Sequence, residues 1–395
     1  MKRIDYYLVL DAGTTTMRAM AFSKDLAVLG KASRKLGKTF PKTGWVEQNP
    51  VEMARLARKV IRQCVGDLGL APSKCLGLGV TNQRETTVLW DEQTGRAVYP
   101  AIVWEDTRTR SRCRELATEH GAAVREVTGL NIDPYFSATK ISWILAHVPR
   151  ARALLEQGRL RFGTVDSWLI WNLCEGNPHV TDITNAHRTL LVSTKKLNWD
   201  DQLLSLFKVP GSILPEIRES RAHFGNLEKE IVGHPIPVRA VCGDQQSSLY
   251  AAWRFSGKSR VTKVTFGTGT FVDQTAGRKH SISDPFYAII VPHPDGGNAF
   301  GNEGKIAKGA KQVDQLLSNE TKLRRYLHRL TLDADRLIRQ LPKKPRELIV
   351  DGGVSRDGIV VEDLANTSEI SAEALPIFDG TALGTAYLLS DHKKK

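Results

Sequence analysis

Two stretches of the chain each join a pair of apolar strands through a short turn of glycine and threonine. The first runs from Val9 to Phe22, and Gly13 is followed there by three consecutive threonines. The second runs from Val261 to Phe271 and turns at Gly-Thr-Gly-Thr. A turn this small can direct backbone N–H groups at an anion, and its hydroxyls add further donors. The pattern predicts phosphate-binding hairpins, with ordinary polar β-hairpins as the alternative.

A third glycine turn, Asp351-Gly352-Gly353, follows an apolar strand near the C-terminal end. Three such turns cannot all contact one nucleotide within a single small lobe, so they suit two lobes that clamp ATP between them. The arrangement resembles the ATPase fold shared by actin, the 70-kDa heat-shock chaperones and sugar kinases. It implies an α/β, ribonuclease H-like fold with mixed sheets flanked by helices and a cleft between lobes. We expect an N-terminal lobe over residues 1–250 and a C-terminal lobe over 251–395.

Composition narrows the class of protein. A length of 395 residues suggests two domains, and no apolar run approaches the roughly 18 residues of a membrane span. The N-terminal residues enter a strand without a signal-peptide core, and the five cysteines are scattered and odd in number. These features predict a cytoplasmic protein without disulfides or a zinc framework.

About half of the net charge of +13 lies in one segment. Between Lys305 and Glu347 there are twelve Lys and Arg residues against five Asp and Glu residues. The excess indicates either attraction to a polyanion or a solvated helical face. We favour the solvated face and expect no nucleic-acid partner, because the aromatic-rich basic motifs of RNA-binding proteins are absent.

Periodicity predicts the following elements. Asn49 and Pro50 are typical of a helix start, as cap and first helical residue. The predicted strands cover 6–22, 26–34, 75–90, 98–103, 236–242, 261–274 and 347–351. The predicted helices cover 50–66, 107–118, 121–127, 137–157, 308–330, 333–341 and 381–386.

Four motifs carry a more specific resemblance. They are Thr-Asn-Gln-Arg-Glu-Thr at 81–86, Ile-Val-Trp-Glu-Asp at 102–106, Asp-Pro-Tyr-Phe-Ser-Ala-Thr-Lys at 133–140 and Gly-Asp-Gln-Gln at 243–246. With the Asp11 turn, they closely resemble the glycerol kinase branch of the FGGY carbohydrate kinase family. The resemblance runs from about residue 6 to 275 and resumes at Asp351–Arg356 and Thr381–Gly384.

The resemblance implies in-line phosphoryl transfer from ATP·Mg²⁺ to glycerol, giving sn-glycerol 3-phosphate. Asp244 would be the general base, and Asp11 would help to hold Mg²⁺ through water. The residues implied for glycerol are Arg84, Glu85, Trp104, Tyr135, Asp244, Gln245 and Phe271. Those implied for the nucleotide are Thr14, Thr15, Thr16, Arg18, Gly267, Thr268, Gly309, Gly352, Gly353 and Asp357. A homodimer or homotetramer is also expected.

The second lobe departs from the family pattern. Only 46 residues, 305–350, separate Glu303-Gly304 from Asp351-Gly352, and the family's Gly-Leu-Gly-Ala-Pro-Tyr-Trp segment is absent. A glycerol-binding pseudokinase or scaffold is therefore an alternative, as is a kinase of another small polyol or ketose. An actin-like filament role is the least favoured, because it would leave the triol pocket without purpose. Asp244 also has an alternative role, as the N-cap of the helix that follows it.

Overall fold

The chain folds into two compact units. The first comprises Met1–Asp244 and Thr385–Lys395, and the second comprises Gln245–Gly384; the sequence places the boundary near residue 250. The computed structural model describes residues 2–267, 269–279, 283–306, 313–316, 320–377 and 379–391, and the side chains of residues 314, 315, 356 and 357 lie outside that description.

The first unit contains a six-stranded mixed sheet with the spatial order β13-β14-β5-β1-β2-β3. β5 pairs in parallel with both β1 and β14, so these three strands end at the same edge. Their near-continuous apolar sequences suit strands that are buried on both faces. The six strands are β1 (Tyr6–Ala12), β2 (Thr16–Ser23), β3 (Val28–Lys35), β5 (Cys75–Asn82), β13 (Gly225–Leu227) and β14 (Ile236–Gly243).

Short two-stranded pairs complete the first unit. They join β4 to β7, β6 to β8, β9 to β12 and β10 to β11. Their bounds are β4 (Glu47–Gln48), β6 (Val88–Asp91), β7 (Ala101–Ile102), β8 (Leu160–Gly163), β9 (Val180–Asp182), β10 (Val192–Ser193), β11 (Asn198–Trp199) and β12 (Glu216–Arg218). The strand predicted over 75–90 is thus divided between β5 and β6, and that over 98–103 is reduced to the two residues of β7.

Eight helices of the described chain lie wholly in the first unit, and sequence signals explain several of their ends. Asn49 accepts hydrogen bonds from the N–H groups of Val51 and Glu52 and Pro50 follows it, which confirms the predicted start. The bounds are α1 (Pro50–Asp67), α2 (Arg110–Thr128), α3 (Ser137–His147), α4 (Pro149–Glu156), α5 (Val165–Leu173), α6 (Ile183–His187), α7 (Asp201–Phe207) and α8 (Lys229–Val232). Single-turn 3-10 helices cover Pro72–Lys74 and Gly211–Ile213.

The bounds of three predicted helices in the first unit were wrong. The helices predicted over 107–118 and 121–127 form the single helix α2, which continues through Gly121. The helix predicted over 137–157 is divided into α3 and α4. Val148, between them, has extended backbone angles because the ring of Pro149 disfavours a helical conformation in the residue before it.

The second unit contains another six-stranded mixed sheet, with the order β17-β18-β16-β15-β19-β20. The strands are β15 (Thr262–Phe266), β16 (Thr270–Gly277), β17 (Tyr287–Pro292), β18 (Asn298–Ile306), β19 (Glu347–Asp351) and β20 (Ser371–Ala374). The helices are α9 (Asp244–Ser256), α10 (Val313–Leu316), α11 (Glu320–Ile338), α12 (Ile359–Ser368) and α13 (Gly380–Asp391), and a 3-10 helix covers Gly353–Asp357. The first residue of α9 and the last residues of α13 belong to the first unit.

Helix α13 packs on α9 at a glycine. A Cβ atom added to Gly384 would lie 1.7 Å from the carbonyl oxygen of Ser247, so only glycine allows this approach. Ser247 Oγ also donates a hydrogen bond of 2.8 Å to the carbonyl of Thr381. The small residues of the predicted final helix are therefore used for close packing.

All five cysteines are free thiols. Among the described helices, none combines the length and the apolar character that crossing a membrane requires.

Candidate active site

The predicted substrate residues of the first unit gather where β5 and β14 end. Gly243 is in register with Asn82 across these parallel strands. The chain that follows each strand therefore emerges at the same edge of the sheet. Arg84 and Glu85 follow β5, and Asp244 follows β14 as the first residue of α9.

The guanidinium of Arg84 lies between two carboxylates. Its Nε is 3.2 Å from Asp244 Oδ1 and 3.8 Å from Glu85 Oε1. Its Nη2 is 3.4 Å from the hydroxyl of Tyr135. The side chains of Arg84 and Glu85 are 2% and 1% exposed, whereas that of Asp244 is 30% exposed. Asp244 is therefore the most solvent-exposed acid of this group, and Arg84 supplies the positive charge beside it.

Glu85 is held in an unusual backbone conformation. Its φ is +59°, which is uncommon for a residue with a Cβ atom and stores backbone strain. Its carbonyl oxygen accepts hydrogen bonds from the hydroxyls of Thr87 and Ser137, at 3.1 and 2.9 Å. These bonds fix the turn, so β5 stops at Asn82 and the carboxylate of Glu85 is directed into the site.

Arg188 is a site residue that the sequence analysis missed. Its side chain is fully buried, and its Nε donates a 2.5 Å hydrogen bond to Glu85 Oε1. The guanidinium carbon lies 5.2 Å from the ring centroid of Tyr135 and 4.9 Å from that of Phe136, within the range of a cation–π contact. Arg188 thus contacts two predicted substrate residues, yet it lies more than fifty residues from either in sequence.

Tyr135 and Trp104 present aromatic surface beside these charges. Their rings meet edge to face, with centroids 5.6 Å apart and an interplanar angle of 81°. The carbonyl of Tyr135 accepts a 2.7 Å hydrogen bond from Lys140 Nζ, and burial lowers the pKa of that lysine to about 8. Trp104 Nε1 donates a 3.0 Å bond to Thr14 Oγ1, which joins the predicted substrate residues to the first glycine-threonine turn.

That first turn is a hairpin closed by its own backbone. The N–H of Gly13 donates to the carbonyl of Thr16 at 3.0 Å, so this group is used within the turn instead of facing an anion. Asp11 and Arg18 face each other across β1 and β2, with 2.6 Å between Oδ2 and Nη2. Gln48 Nε2 donates to the carbonyl of Thr14 at 2.7 Å. Arg18 and the threonine hydroxyls remain the groups suited to phosphate.

The residues here suit Mg²⁺ only as a partner of bound phosphates. Asp11 is a buried carboxylate at the base of the turn, already paired with Arg18. In the described part of the chain, no group of three or more His, Cys, Asp or Glu residues could hold a metal. Mg²⁺ commonly uses one or two carboxylates, phosphate oxygens and several waters, and this donor set is compatible with that pattern.

Both strand ends of this site are anchored on the buried carboxylate of Asp182. Asp182 accepts hydrogen bonds from the backbone N–H groups of Thr184 and Asn185, both at 3.0 Å, and burial raises its pKa. Thr184 Oγ1 accepts a 2.9 Å bond from the N–H of Gly243, just before Asp244. Asn185 exchanges amide hydrogen bonds of 2.9 and 3.1 Å with Asn82, at the end of β5. Asp182 therefore orients the segments that carry Arg84, Glu85 and Asp244.

In the second unit, Gln245 is oriented by a buried ion pair. Its Oε1 accepts a 3.0 Å hydrogen bond from Lys263 Nζ. Lys263 faces Asp273 across β15 and β16, with 3.1 Å between the charged atoms and both side chains fully buried. Phe271, on β16, is buried as well.

The two glycine turns of the second unit lie side by side. A Cβ atom added to Gly352, whose φ is +99°, would meet the carbonyl oxygen of Phe266 at 2.3 Å, and Phe266 directly precedes Gly267. Asp351 fixes the second of these turns, because its carboxylate accepts hydrogen bonds from Thr265 Oγ1 at 2.5 Å and from Ser248 Oγ. Gly353 is exposed. Thr268, Gly309 and the side chain of Asp357 lie outside the described residues.

Comparisons with solved structures bear on the fold. A Plasmodium falciparum glycerol kinase with ADP superposes with a TM-score of 0.88 at 24% identity, over 98% of this chain and 89% of that one. A xylulose kinase from Rhodospirillum rubrum gives 0.83 at 18% identity, over 98% and 92%. The predicted mixed α/β, actin-like ATPase fold is thereby confirmed.

Sequence relatives identify the family. The glycerol kinase of Halorhodospira halophila is 35% identical in an alignment of 446 positions, which covers 97% of this chain and 87% of that one. The glycerol kinase of Polaromonas naphthalenivorans is 43% identical over 313 residues, 79% of this chain but only 63% of that relative. The family model described as the N-terminal domain of the FGGY carbohydrate kinases matches residues 6–251, and the chain belongs to this family.

Proposed function

We propose that this chain is an ATP-dependent glycerol kinase that forms sn-glycerol 3-phosphate. The observation that carries the proposal is the position of Arg84 between Asp244 and Glu85, with the Tyr135 hydroxyl at its other end. A small triol needs convergent donors and acceptors together with an apolar wall for its carbon edge. The names of the relatives at 35% and 43% identity support the same substrate.

In this proposal each substrate residue makes a different kind of contact with glycerol. Arg84 donates to glycerol hydroxyls, Glu85 accepts from them, and the ring of Trp104 packs against the carbons. Tyr135 adds a hydroxyl that can donate or accept. Gln245 and Phe271 are proposed to contribute a further polar group and apolar surface, which stays a prediction.

The proposed general base is Asp244. Its carboxylate is the exposed acid of the group, and Arg84 holds it 3.2 Å from a guanidinium nitrogen. It would accept the proton of the attacking hydroxyl as the phosphoryl group arrives in line. Arg84 also compensates the negative charge that this buried neighbourhood would otherwise leave unpaired.

The nucleotide residues are proposed from the resemblance to the family. We propose phosphate contacts for the Thr14–Thr16 turn and Arg18, and nucleotide contacts for Gly267, Thr268, Gly309, Gly352, Gly353 and Asp357. Asp11 would hold Mg²⁺ through water, and the metal would neutralise phosphate charge. A cytoplasmic location and a homodimer or homotetramer also stay predictions.

The test is a coupled assay of glycerol 3-phosphate formation for the unmodified protein, Asp244→Asn and Asp201→Asn. Asp201 is a control for the change of residue type, because it is the first residue of α7 as Asp244 is of α9, and it is exposed and lies outside the candidate site. Loss of a general base typically costs 10²- to 10⁴-fold in rate, so we expect kcat to fall at least about 100-fold only in Asp244→Asn. Asparagine retains the capping capacity, so equal melting temperatures would separate the base role from the cap role.

The same experiment separates the alternatives. A rise in melting temperature with glycerol but no turnover in the unmodified protein would indicate a glycerol-binding pseudokinase. Turnover of a pentulose or another polyol at a higher kcat/KM than glycerol would move the substrate to that class. Full activity in Asp244→Asn would contradict the proposed base.

A further inference from the structure

A concave, strongly basic surface lies in the second unit. The cavity is about 540 Å³, within the range of small-molecule sites. Five cationic side chains line it, and the loops that carry them are far apart in sequence. We call this surface the basic pocket, formed by Lys258, Arg260, Lys343, Lys344 and Arg346.

The charges of the basic pocket are poorly compensated. Glu347 is the one acidic residue among those that line it, and it is ion-paired with Lys258. Arg260, Lys343, Lys344 and Arg346 have no acidic partner within the described residues. Like charges brought into one concavity repel each other and raise the local positive potential. A solvated helical face would spread such charges out, whereas an anion site brings them together.

Side-chain hydrogen bonds hold the loops of the basic pocket in place. Gln274, which is 2% exposed, donates from Nε2 to the carbonyl of Lys343 at 2.8 Å and to Thr262 Oγ1 at 2.9 Å. Trp253 Nε1 donates to the carbonyl of Lys258 at 2.9 Å. The backbone that carries the cations is therefore fixed to the sheet and to α9, which reduces the entropy lost when a ligand binds.

The basic pocket is separate from the glycine turns of the same unit. Val261 and Thr262 line it at the start of β15, and Glu347 lines it at the start of β19. Gly267 and Gly352 follow the opposite ends of these two parallel strands. Five residues of strand span roughly 16 Å, so one phosphate group cannot contact both places.

We propose that the basic pocket is a second anion site, which binds a compact, multivalent phosphate such as a short polyphosphate chain. Five positive side chains against one acid match several phosphate charges, and lysine and arginine are the usual phosphate ligands. The concave shape and the volume of about 540 Å³ favour a small anion over a nucleic-acid duplex, whose rigid backbone is bound along extended positive surfaces. This site does not depend on the proposed kinase activity.

The test measures binding of inorganic tripolyphosphate by calorimetry at low and at physiological salt. One variant combines Arg260→Gln with Arg346→Gln in the pocket. The matched control combines Arg325→Gln with Arg329→Gln, which removes the same charge from the exposed face of α11 in the same unit. The glycine turns of both proteins can also attract the probe, so the comparison between the two variants isolates the pocket.

We expect the unmodified protein and the control to bind tripolyphosphate alike, and the pocket variant to bind about tenfold more weakly with a smaller dependence on salt. Orthophosphate should bind more weakly than tripolyphosphate to the unmodified protein. Equal affinities of the two variants would overturn the proposal, as would the lack of saturable binding in the unmodified protein. Tighter binding of a DNA duplex than of tripolyphosphate, lost in the pocket variant, would overturn the assignment to a compact anion.

Discussion

Two buried arginines pair with different carboxylates in the candidate active site, Arg188 with Glu85 and Arg84 with Asp244. Arg188 Nε lies 2.5 Å from Glu85 Oε1, whereas Arg84 Nε lies 3.8 Å from that oxygen and 3.2 Å from Asp244 Oδ1. Because Arg188 already compensates Glu85, Arg84 can pair with Asp244. A single arginine would leave one of two carboxylates in this buried region uncompensated, which is costly.

Arg188 should therefore act as a positioning residue for glycerol. The change Arg188→Lys keeps the charge but loses the planar group that contacts Tyr135. We expect KM for glycerol to rise about tenfold in steady-state assays, with KM for ATP changed less than about twofold, since about 1.4 kcal/mol of substrate binding corresponds to a factor of ten.

The control for this change is Arg159→Lys. Arg159 pairs with the buried Asp91 at 2.6 Å in the same unit but is absent from the candidate site. Similar effects of both variants on KM for glycerol would mean that Arg188 contributes only general stability. Arg188→Met is a poorer probe, because an uncompensated Glu85 could cost about 3–5 kcal/mol and prevent folding.

A second prediction at this scale concerns the pH dependence of stability. Burial, reinforced by the charge of Asp182, raises the pKa of Asp166 from its ordinary 3.8 to about 7. Between pH 3.8 and pH 7 the folded state binds more protons at Asp166 than the unfolded state does. The stability that the protonated Asp166 contributes is therefore lost as pH rises towards 7. Burial lowers the pKa of His179 from 6.5 to about 4, and its contribution is lost as pH falls through that interval.

Asp166 and His179 change the free energy of unfolding in opposite directions as pH rises, so their effects partly cancel in the unmodified protein. Asp166→Asn removes the first effect and should leave that of His179. Urea unfolding between pH 4.5 and 7.5 should show a destabilisation by Asp166→Asn that shrinks steadily as pH rises. The packing cost of the substitution is the same at each pH, so only the slope is diagnostic. A difference that does not vary with pH would contradict the raised pKa of Asp166.

At the scale of elements, local signals predicted those features that depend on neighbours in sequence. The Asn49 cap, the Pro50 start and the Asp11–Arg18 hairpin follow from residues a few positions apart. The interruption of the strand after Asn82 does not, because it depends on the positive φ of Glu85 and on the hydroxyl of Ser137, which is distant in sequence. Arg188 was missed for the same reason, since an isolated arginine in sequence carries no sign of its partner.

The candidate site depends on hydrogen bonds between helix α6 and the ends of two strands, and no sequence motif indicates these contacts. Asp182 caps the five-residue helix α6, and through Thr184 and Asn185 it holds the ends of both β14 and β5. A sequence pattern can indicate the cap, but it cannot indicate which strand ends the capped residues contact. The residue types of the candidate site were therefore predictable, whereas their supporting network required the tertiary structure.

At the scale of the whole molecule, the cluster around Arg84 and the basic pocket belong to different units. The Arg84 cluster lies in the first unit, and the basic pocket lies in the second. The sequence indicated the charge excess of residues 305–347, but it did not indicate that Lys258 and Arg260 join part of it. The sequence therefore favoured a solvated face, whereas the fold brings cations from two distant segments into one concave surface, on which the proposed anion site depends.

Hydrogen exchange measured by mass spectrometry can detect ligand binding at the proposed glycerol site and at the basic pocket in one experiment. Glycerol alone should slow exchange in peptides that contain residues 82–87 and 135–140, because a bound triol restrains the turns that present Arg84 and Tyr135. It should leave the peptide around 343–347 unchanged, while tripolyphosphate should slow that peptide. Protection of 343–347 by glycerol to the same degree as 82–87 would contradict separate sites. Unchanged exchange at 82–87 with saturating glycerol, in a protein that still responds to tripolyphosphate, would contradict the glycerol site and leave the anion site standing.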